Sequence, residues 1–230
     1  MRRTSTVDSS HRLPTGRLVL LLCAVWAAAA GAQVVLPTPE LPPEPDPARC
    51  DLLISLYAGV GVHAVFPGPI VLSDPIHRCF QNVMREDDGS GNEIETFDSI
   101  LNAKVELGFG NIPIELTGPV ETVVFGRTGN TTGTFDTEIV SMSLTGNIGG
   151  QPVEIRESPT HASPGQTTIT DLGGGQFQID SFFDVFTEVS VAGSPFMPAA
   201  DSGRMVLVPA ESVIPVETTS TWGAIKDAFR

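Results

Sequence analysis

The stretch that decides the fold is TFDSILNAKVELG, residues 96–108, in which apolar and polar side chains alternate. A second stretch, TFDTEIVSMSLTG at residues 134–146, has the same length, the same Thr-Phe-Asp opening and the same final glycine. Alternation with a period of two is typical of a β-strand with one apolar and one polar face. The sequence therefore predicts an antiparallel β-structure that is assembled from a repeated unit.

The repeated unit consists of a phenylalanine, an aspartate, an alternating strand and a turn, and a third, weaker copy begins at residue 183. The phenylalanines, which we expect in the core, are Phe97, Phe135 and Phe183. The aspartates that follow them are Asp98, Asp136 and Asp184. A short carboxylate accepts backbone N–H groups where a chain enters a sheet, which favours a structural role over a catalytic one.

The alternation also predicts which side chains share the buried face. These are Leu101, Ala103, Val105 and Leu107 in the first copy, Val140, Met142 and Leu144 in the second, and Val185, Thr187, Val189 and Val191 in the third. Glycines at 129, 149–150 and 173–175 provide hairpin turns between such strands. We therefore expect an antiparallel β-sandwich over residues 50–215, with at most one helical turn within residues 75–85.

The first 32 residues are typical of a secretory signal peptide. Four arginines precede an apolar run at residues 18–30, and Ala30-Gly31-Ala32 fits a cleavage site. The apolar run is too short to span a membrane as a helix. We expect a protein that is secreted or held at the cell surface, with no integral membrane segment after cleavage.

The mature chain is strongly acidic. The leader contains four of the 13 basic residues and one of the 27 acidic residues, which leaves a net charge of −17. Such a surface repels nucleic acid and anionic membranes, so neither is an expected partner.

The two ends of the mature chain differ from its middle. Residues 33–49 are rich in proline, and we expect an extended linker that cannot bury a core. Residues 216–230 form a polar linker followed by a short amphipathic helix, with Trp222, Ile225 and Phe229 on one face. That helix either docks on the domain or frays, and the alternative is a recognition tag or a partner-binding helix.

Two cysteines remain after cleavage, Cys50 and Cys79. An even number of cysteines in an oxidising compartment predicts a disulfide between them. Two free thiols are the alternative.

Signatures of catalysis and of metal binding are weak. The three histidines of the mature chain, His63, His77 and His161, are scattered, and we expect surface or hydrogen-bonded roles for them. The acidic loop at residues 86–93 is the best candidate for calcium, with Asp87, Asp88, Asn92 and Glu93 as ligands. Its spacing departs from that of an EF-hand loop, and a solvated hairpin loop is the alternative. We expect no other cofactor.

The motif Asp180-Ser181-Phe182-Phe183-Asp184-Val185-Phe186 and the Thr-Phe-Asp units resemble sequences in a family of exported, β-rich bacterial proteins of unassigned function. The resemblance covers residues 67–208 and implies an exported β-module, without catalytic residues to transfer. Together with the composition, it predicts a non-catalytic structural, adhesive or ligand-binding module whose partner is a glycan or another surface protein. The alternatives are an extracellular polysaccharide hydrolase that uses paired carboxylates, and a calcium-dependent assembly subunit.

Overall fold

The structure, a computed structural model, describes residues 33–43, 50, 55–59, 63–68, 70–106 and 110–213. These residues form thirteen β-strands and one short 3-10 helix, Ala210–Ser212. The strands are β1 (Val34–Leu36), β2 (Ser55–Ala58), β3 (His63–Val65), β4 (Val71–Asp87), β5 (Glu93–Glu106), β6 (Asn111–Val124), β7 (Gly133–Ile148), β8 (Gln151–Glu157), β9 (Ser163–Gly173), β10 (Gln176–Val185), β11 (Thr187–Val191), β12 (Met197–Pro198) and β13 (Gly203–Pro209). The expected leader and the C-terminal helix with Trp222, Ile225 and Phe229 lie outside the described residues.

Eight of the strands close into a ring, in the order β10-β13-β2-β4-β5-β6-β7-β9. Strand β9 completes it, because Ile169 pairs with Gly133 of β7 on one side and with Ile179 of β10 on the other. The fold is thus all-β as predicted, but it is an eight-stranded β-barrel, and the prediction of a β-sandwich is wrong. A sandwich has two separate sheets with edges, whereas each strand of this described ring has a neighbour on both sides.

Bulges on β4 allow this strand to bend around the barrel. Its register with β5 shifts at three places, and three residues that are not glycine have positive φ: Asp74 (49°), Cys79 (57°) and Asn82 (54°). Each bulge adds one residue to one strand, which bends it and increases its twist. Residues 75–85, where the sequence allowed a helical turn, are therefore part of one long strand.

Further strands extend the wall at both ends of the ring. Strand β8 pairs with the second half of β7, β11 pairs with β8, and β12 pairs with β11. Strand β3 pairs with the first residues of β4. The N–H of Ala200 donates to the carbonyl oxygen of Val65 at 2.8 Å, which joins the end of β12 to β3. Strand β1 pairs with β10 at residues 177–179.

The apolar core lies inside the barrel. Leu101, Ala103 and Val105 are buried as predicted, while Leu107 lies outside the described residues. In β7 the prediction fails at Val140, which is 39 % exposed because it is the extra residue of a bulge opposite β6. Ile139 takes its place in the core.

The third copy of the unit is not one continuous strand. Strand β10 ends at Val185 and β11 begins at Thr187, so the expected alternation is interrupted at Phe186. The N–H of Phe186 donates to the hydroxyl of Ser163 at 3.0 Å, and its carbonyl accepts from the N–H of Ser158 at 2.9 Å. Beyond this point Glu188, Val189 and Ser190 are all buried, which a simple period of two does not predict.

The proline-rich segment packs on the barrel where it is described. Val34 and Leu36 of β1 are buried, and so is Leu41. For residues 33–43 the expectation of a linker that buries no core is therefore wrong, and residues 44–49 lie outside the described residues. We call residues 33–43 the N-terminal segment.

The predicted disulfide is confirmed, since Cys50 and Cys79 are bonded and join the chain just before β2 to the middle of β4. In the part of the chain that the structure describes, no helix has the length and apolar character needed to cross a membrane.

Candidate binding cavity in the barrel interior

A cavity of about 70 Å³ lies inside the barrel. The side chains that line it come from most of the surrounding strands and are mainly apolar. They include Leu101 (β5), Val120 (β6), Met142 (β7), Ile155 (β8), Val185 (β10) and Met205 (β13). Because inward residues alternate with outward ones on every strand, the apolar faces that the sequence encodes meet around this space.

An aromatic cluster borders the cavity. Phe80 contacts Tyr57 and Phe97 edge to face, with ring centroids 6.0 Å and 5.5 Å apart, and Tyr57 contacts Phe183 at 5.6 Å. Two of the repeated phenylalanines, Phe97 and Phe183, belong to this cluster. Phe135 is also buried, but it lies elsewhere, against the guanidinium of Arg127.

His77 is the polar residue in the cavity wall that sequence reasoning missed. It lies on β4, is 9 % exposed, and places Nε2 2.6 Å from the hydroxyl oxygen of Ser99. Burial lowers the pKa of its imidazole to about 4, so the ring is neutral at pH 7. The available signal was its spacing of two from Pro75 in β4, since both residues line the cavity. By contrast, His161 is exposed and stacks on Phe186.

A chain of three hydroxyl groups begins at Tyr57 of the aromatic cluster. The Tyr57 hydroxyl lies 2.9 Å from that of Ser181, which in turn lies 2.8 Å from that of Thr167. All three side chains are buried, and burial raises the pKa of Tyr57. The chain of hydroxyls satisfies these groups inside the barrel.

Glu95 is a buried carboxyl group next to the aromatic cluster and the hydroxyl groups, near Tyr57. It is 5 % exposed, and the hydroxyl of Thr122 donates to it at 3.0 Å. Burial raises its pKa to about 8, despite the opposing effect of Arg85, so the group is protonated at pH 7. A second cavity of only about 10 Å³ lies between Glu95, Tyr57, Thr137 and Leu41.

The N-terminal segment packs over this polar region. Leu41 is 7 % exposed and lines the small cavity. Arg85 donates from Nε to the carbonyl oxygen of Leu41 at 3.1 Å, and Arg127 donates from Nη2 to that of Pro39 at 2.8 Å. Arg85 of β4 and Arg127 of the loop between β6 and β7 therefore hold the segment in place through its backbone.

The repeated aspartates lie within strands and bond across them. Asp98 accepts a hydrogen bond from the amide of Asn82 at 2.7 Å, and Asp136 accepts one from the amide of Gln166 at 3.1 Å. Asp184 accepts two from Arg204, at 2.8 Å and 2.7 Å, which lower the pKa of its carboxyl. The partners are thus side chains on neighbouring strands, and not the backbone N–H groups that the sequence led us to expect.

The acidic loop uses its carboxylates within the hairpin. Asp87 accepts from the N–H of Gly89 at 2.8 Å, and Asp88 accepts from the N–H groups of Ser90 and Asn92 at 2.6 Å and 3.1 Å. These bonds lower the pKa of Asp88. Among the described residues, no three His, Cys, Asp or Glu side chains group in a way that suits a metal ion. The calcium hypothesis, with Glu93 as a further ligand, stays a prediction.

Two carboxylates share a groove of about 240 Å³ on the outer wall, where Asn82, Asp98 and Glu121 are lining residues. Asp98 and Glu121 are diagonal neighbours on paired strands, because Asp98 lies opposite Pro119 and Glu121 opposite Thr96. The groove is separate from the buried Glu95 whose pKa is raised. The hydrolase alternative stays a prediction, and this groove is where it would apply.

Fold and cavity together define a class, a closed eight-stranded β-barrel with an apolar cavity in its interior. No family model, no curated protein and no solved structure matches the chain. The resemblance to exported bacterial proteins remains a prediction from the sequence.

Proposed function

We propose that this chain is an exported, non-catalytic binding module that holds one small apolar molecule inside the barrel. The observation that supports the proposal is the cavity of about 70 Å³ with its mainly apolar wall. Barrels of about eight strands are just wide enough either to be filled by their own side chains or to hold one small ligand. In this barrel the side chains do not fill the interior completely and leave the cavity of about 70 Å³.

The size of the cavity restricts the ligand. An apolar cavity of about 150 Å³ stays dry and binds benzene, so a space about half that size suits a molecule of only a few heavy atoms. Met142 and Met205 line it, and unbranched thioether side chains adapt to the shape of a ligand. At about 24 cal/mol per Å³, the empty cavity costs about 1.7 kcal/mol of stability, which a bound ligand recovers in part.

The charge state of the interior supports an uncharged ligand. His77 in the cavity wall is neutral at pH 7, and Glu95 behind Thr122 is protonated. None of the described side chains that line the cavity is charged at this pH. A charged ligand would lose its hydration without gaining an ionic partner.

The test is ligand-dependent stability, with a matched pair of variants. Val120 lines the cavity, whereas Val140 is 39 % exposed on the outside of the barrel. Saturating propane should raise the free energy of unfolding of the wild type and of Val140→Phe, by about 2.7 kcal/mol at a hundred times the Kd. Val120→Phe fills the cavity and should abolish the gain. An unchanged stability of the wild type at the solubility limit of propane would remove the proposal.

A further inference from the structure

We infer that the ligand of the cavity is an apolar molecule that carries one hydroxyl group, an alcohol, and that this group hydrogen-bonds to Nδ1 of His77. The inference rests on the proposed function and adds the chemical class of the ligand.

One nitrogen of His77 has a partner and the other does not. Nε2 lies 2.6 Å from Ser99 Oγ, and the remaining contact of the ring is an edge-to-face packing against Phe80 at 5.4 Å. Within the described residues Nδ1 makes no hydrogen bond. Among the described side chains, the polar atoms that have neither solvent-accessible surface nor a hydrogen bond are Ser55 Oγ and Thr137 Oγ1. Nδ1 of His77 does not belong to this group. This nitrogen therefore keeps accessible surface, and the cavity is the open space that its ring borders.

The neutral ring has one hydrogen-bonding position left at Nδ1. Nε2 lies 2.6 Å from the hydroxyl oxygen of Ser99, whose contact with the carbonyl oxygen of Gly118 is longer, at 3.5 Å. A neutral imidazole carries a proton on one nitrogen only, so Nδ1 is an acceptor when Ser99 accepts from Nε2–H and an N–H donor when Ser99 donates to Nε2. A hydroxyl group is a suitable partner for either form, because it both donates and accepts.

Two other polar side chains of the wall are already engaged. The hydroxyl of Tyr57 is bonded to Ser181, and the hydroxyl of Thr122 donates to Glu95. A buried polar atom without a partner is costly, and a ligand hydroxyl satisfies Nδ1 whichever nitrogen of the ring carries the proton.

The test compares two ligands of the same skeleton, propane and isopropanol, on the wild type and on His77→Phe. We expect the ratio of the two Kd values, propane over isopropanol, to fall about 3- to 10-fold in His77→Phe, the net effect of one hydrogen bond. Taking the ratio removes the different hydration of the two ligands. In the full chain with ¹⁵N-labelled histidine, isopropanol should also shift the Nδ1 resonance of His77, and propane should not.

Each outcome has one meaning. If both ligands bind and the ratio is the same in the two proteins, or if Nδ1 does not respond to bound isopropanol, the inference is wrong and the proposed function stands. If neither ligand binds the wild type, the proposed function fails and the inference fails with it. The Nδ1 resonance of the wild type decides the matter even if His77→Phe does not fold.

Discussion

Replacing Glu95 with glutamine tests whether a carboxyl group is truly buried inside the barrel. Glu95 is 5 % exposed, and burial raises its pKa from 4.5 to about 8. The glutamine keeps the size of the side chain and can still accept the hydrogen bond of Thr122, but it cannot ionise. Any change of stability with pH that disappears in Glu95→Gln therefore comes from this proton.

The sign and the size follow from the two pKa values. Between pH 4.5 and about 8 the folded protein keeps the proton on Glu95, whereas the unfolded chain has lost it. Stability therefore falls as pH rises through this window, by about 1.4 kcal/mol for each pH unit. Over about 3.5 units the loss amounts to about 5 kcal/mol, as an order of magnitude.

His77 acts in the opposite direction at lower pH. Its pKa is lowered from 6.5 to about 4, so the unfolded chain takes up a proton in this window while the folded protein does not. Stability then falls as pH falls from 6.5 to 4. Between pH 4.5 and 6.5 both groups change the stability with pH, in opposite directions, and their effects cancel in the wild type. In Glu95→Gln only the effect of His77 should remain.

The assay is urea unfolding of wild type and Glu95→Gln at steps of pH between 5 and 9. The difference in free energy of unfolding, variant minus wild type, should rise by about 1.4 kcal/mol per unit up to pH 8 and then level off. Glu106→Gln, an exposed position on the same strand, serves as the control and should show no such trend. A constant difference for Glu95→Gln would refute the burial of this group.

Three other changes have outcomes that follow directly from the contacts. Reducing the Cys50–Cys79 disulfide, which closes a loop of 29 residues, should lower the free energy of unfolding by about 3 to 4 kcal/mol in urea titrations. Leu41→Ala should cost about 2 to 4 kcal/mol because Leu41 is buried in the N-terminal segment, whereas Val35→Ala, at a position 42 % exposed, should cost little. Thr137→Val removes a buried hydroxyl that has no partner, so stability should stay the same or rise by about 1 kcal/mol.

Each of these three expectations has a clear failure. An unchanged urea midpoint after complete reduction would mean that the disulfide does not constrain the unfolded chain. Equal effects of Leu41→Ala and Val35→Ala would show that the N-terminal segment does not pack on the barrel. A large loss of stability in Thr137→Val would show that its hydroxyl has a partner in solution.

Local pattern was sufficient to predict which faces of the strands are buried. The alternation of Leu101, Ala103 and Val105 with polar neighbours matches the burial seen in β5. Val140 shows the limit of this reasoning. A bulge at that residue places Ile139 and Met142 in the core with a spacing of three, and a bulge depends on pairing with β6 rather than on local sequence.

The local pattern could not distinguish a sandwich from a barrel. Inward and outward residues alternate in the same way in both architectures. What closes the barrel is β9, whose Ile169 pairs with strands on both sides. β7 is distant from β9 in sequence, and the residues of β9 show no local pattern that indicates pairing with two strands.

The cavity could not be predicted because it results from the packing of many strands. His77 was weighed as an isolated histidine, since the bulges that bend β4 obscured its place on an inward face. The N-terminal segment was misjudged for a related reason. Its prolines indicated a linker, while Leu36 and Leu41 had no visible partner until β10 and the barrel wall were in place.

The most direct test of the central claim is whether a small apolar molecule enters the barrel. Met142 and Met205 line the cavity, so their methyl resonances report its occupancy. The account predicts that propane shifts both resonances in a saturable way in the wild type and in Val140→Phe, and that neither shifts in Val120→Phe. Methyl resonances that do not respond to propane in the wild type would contradict it.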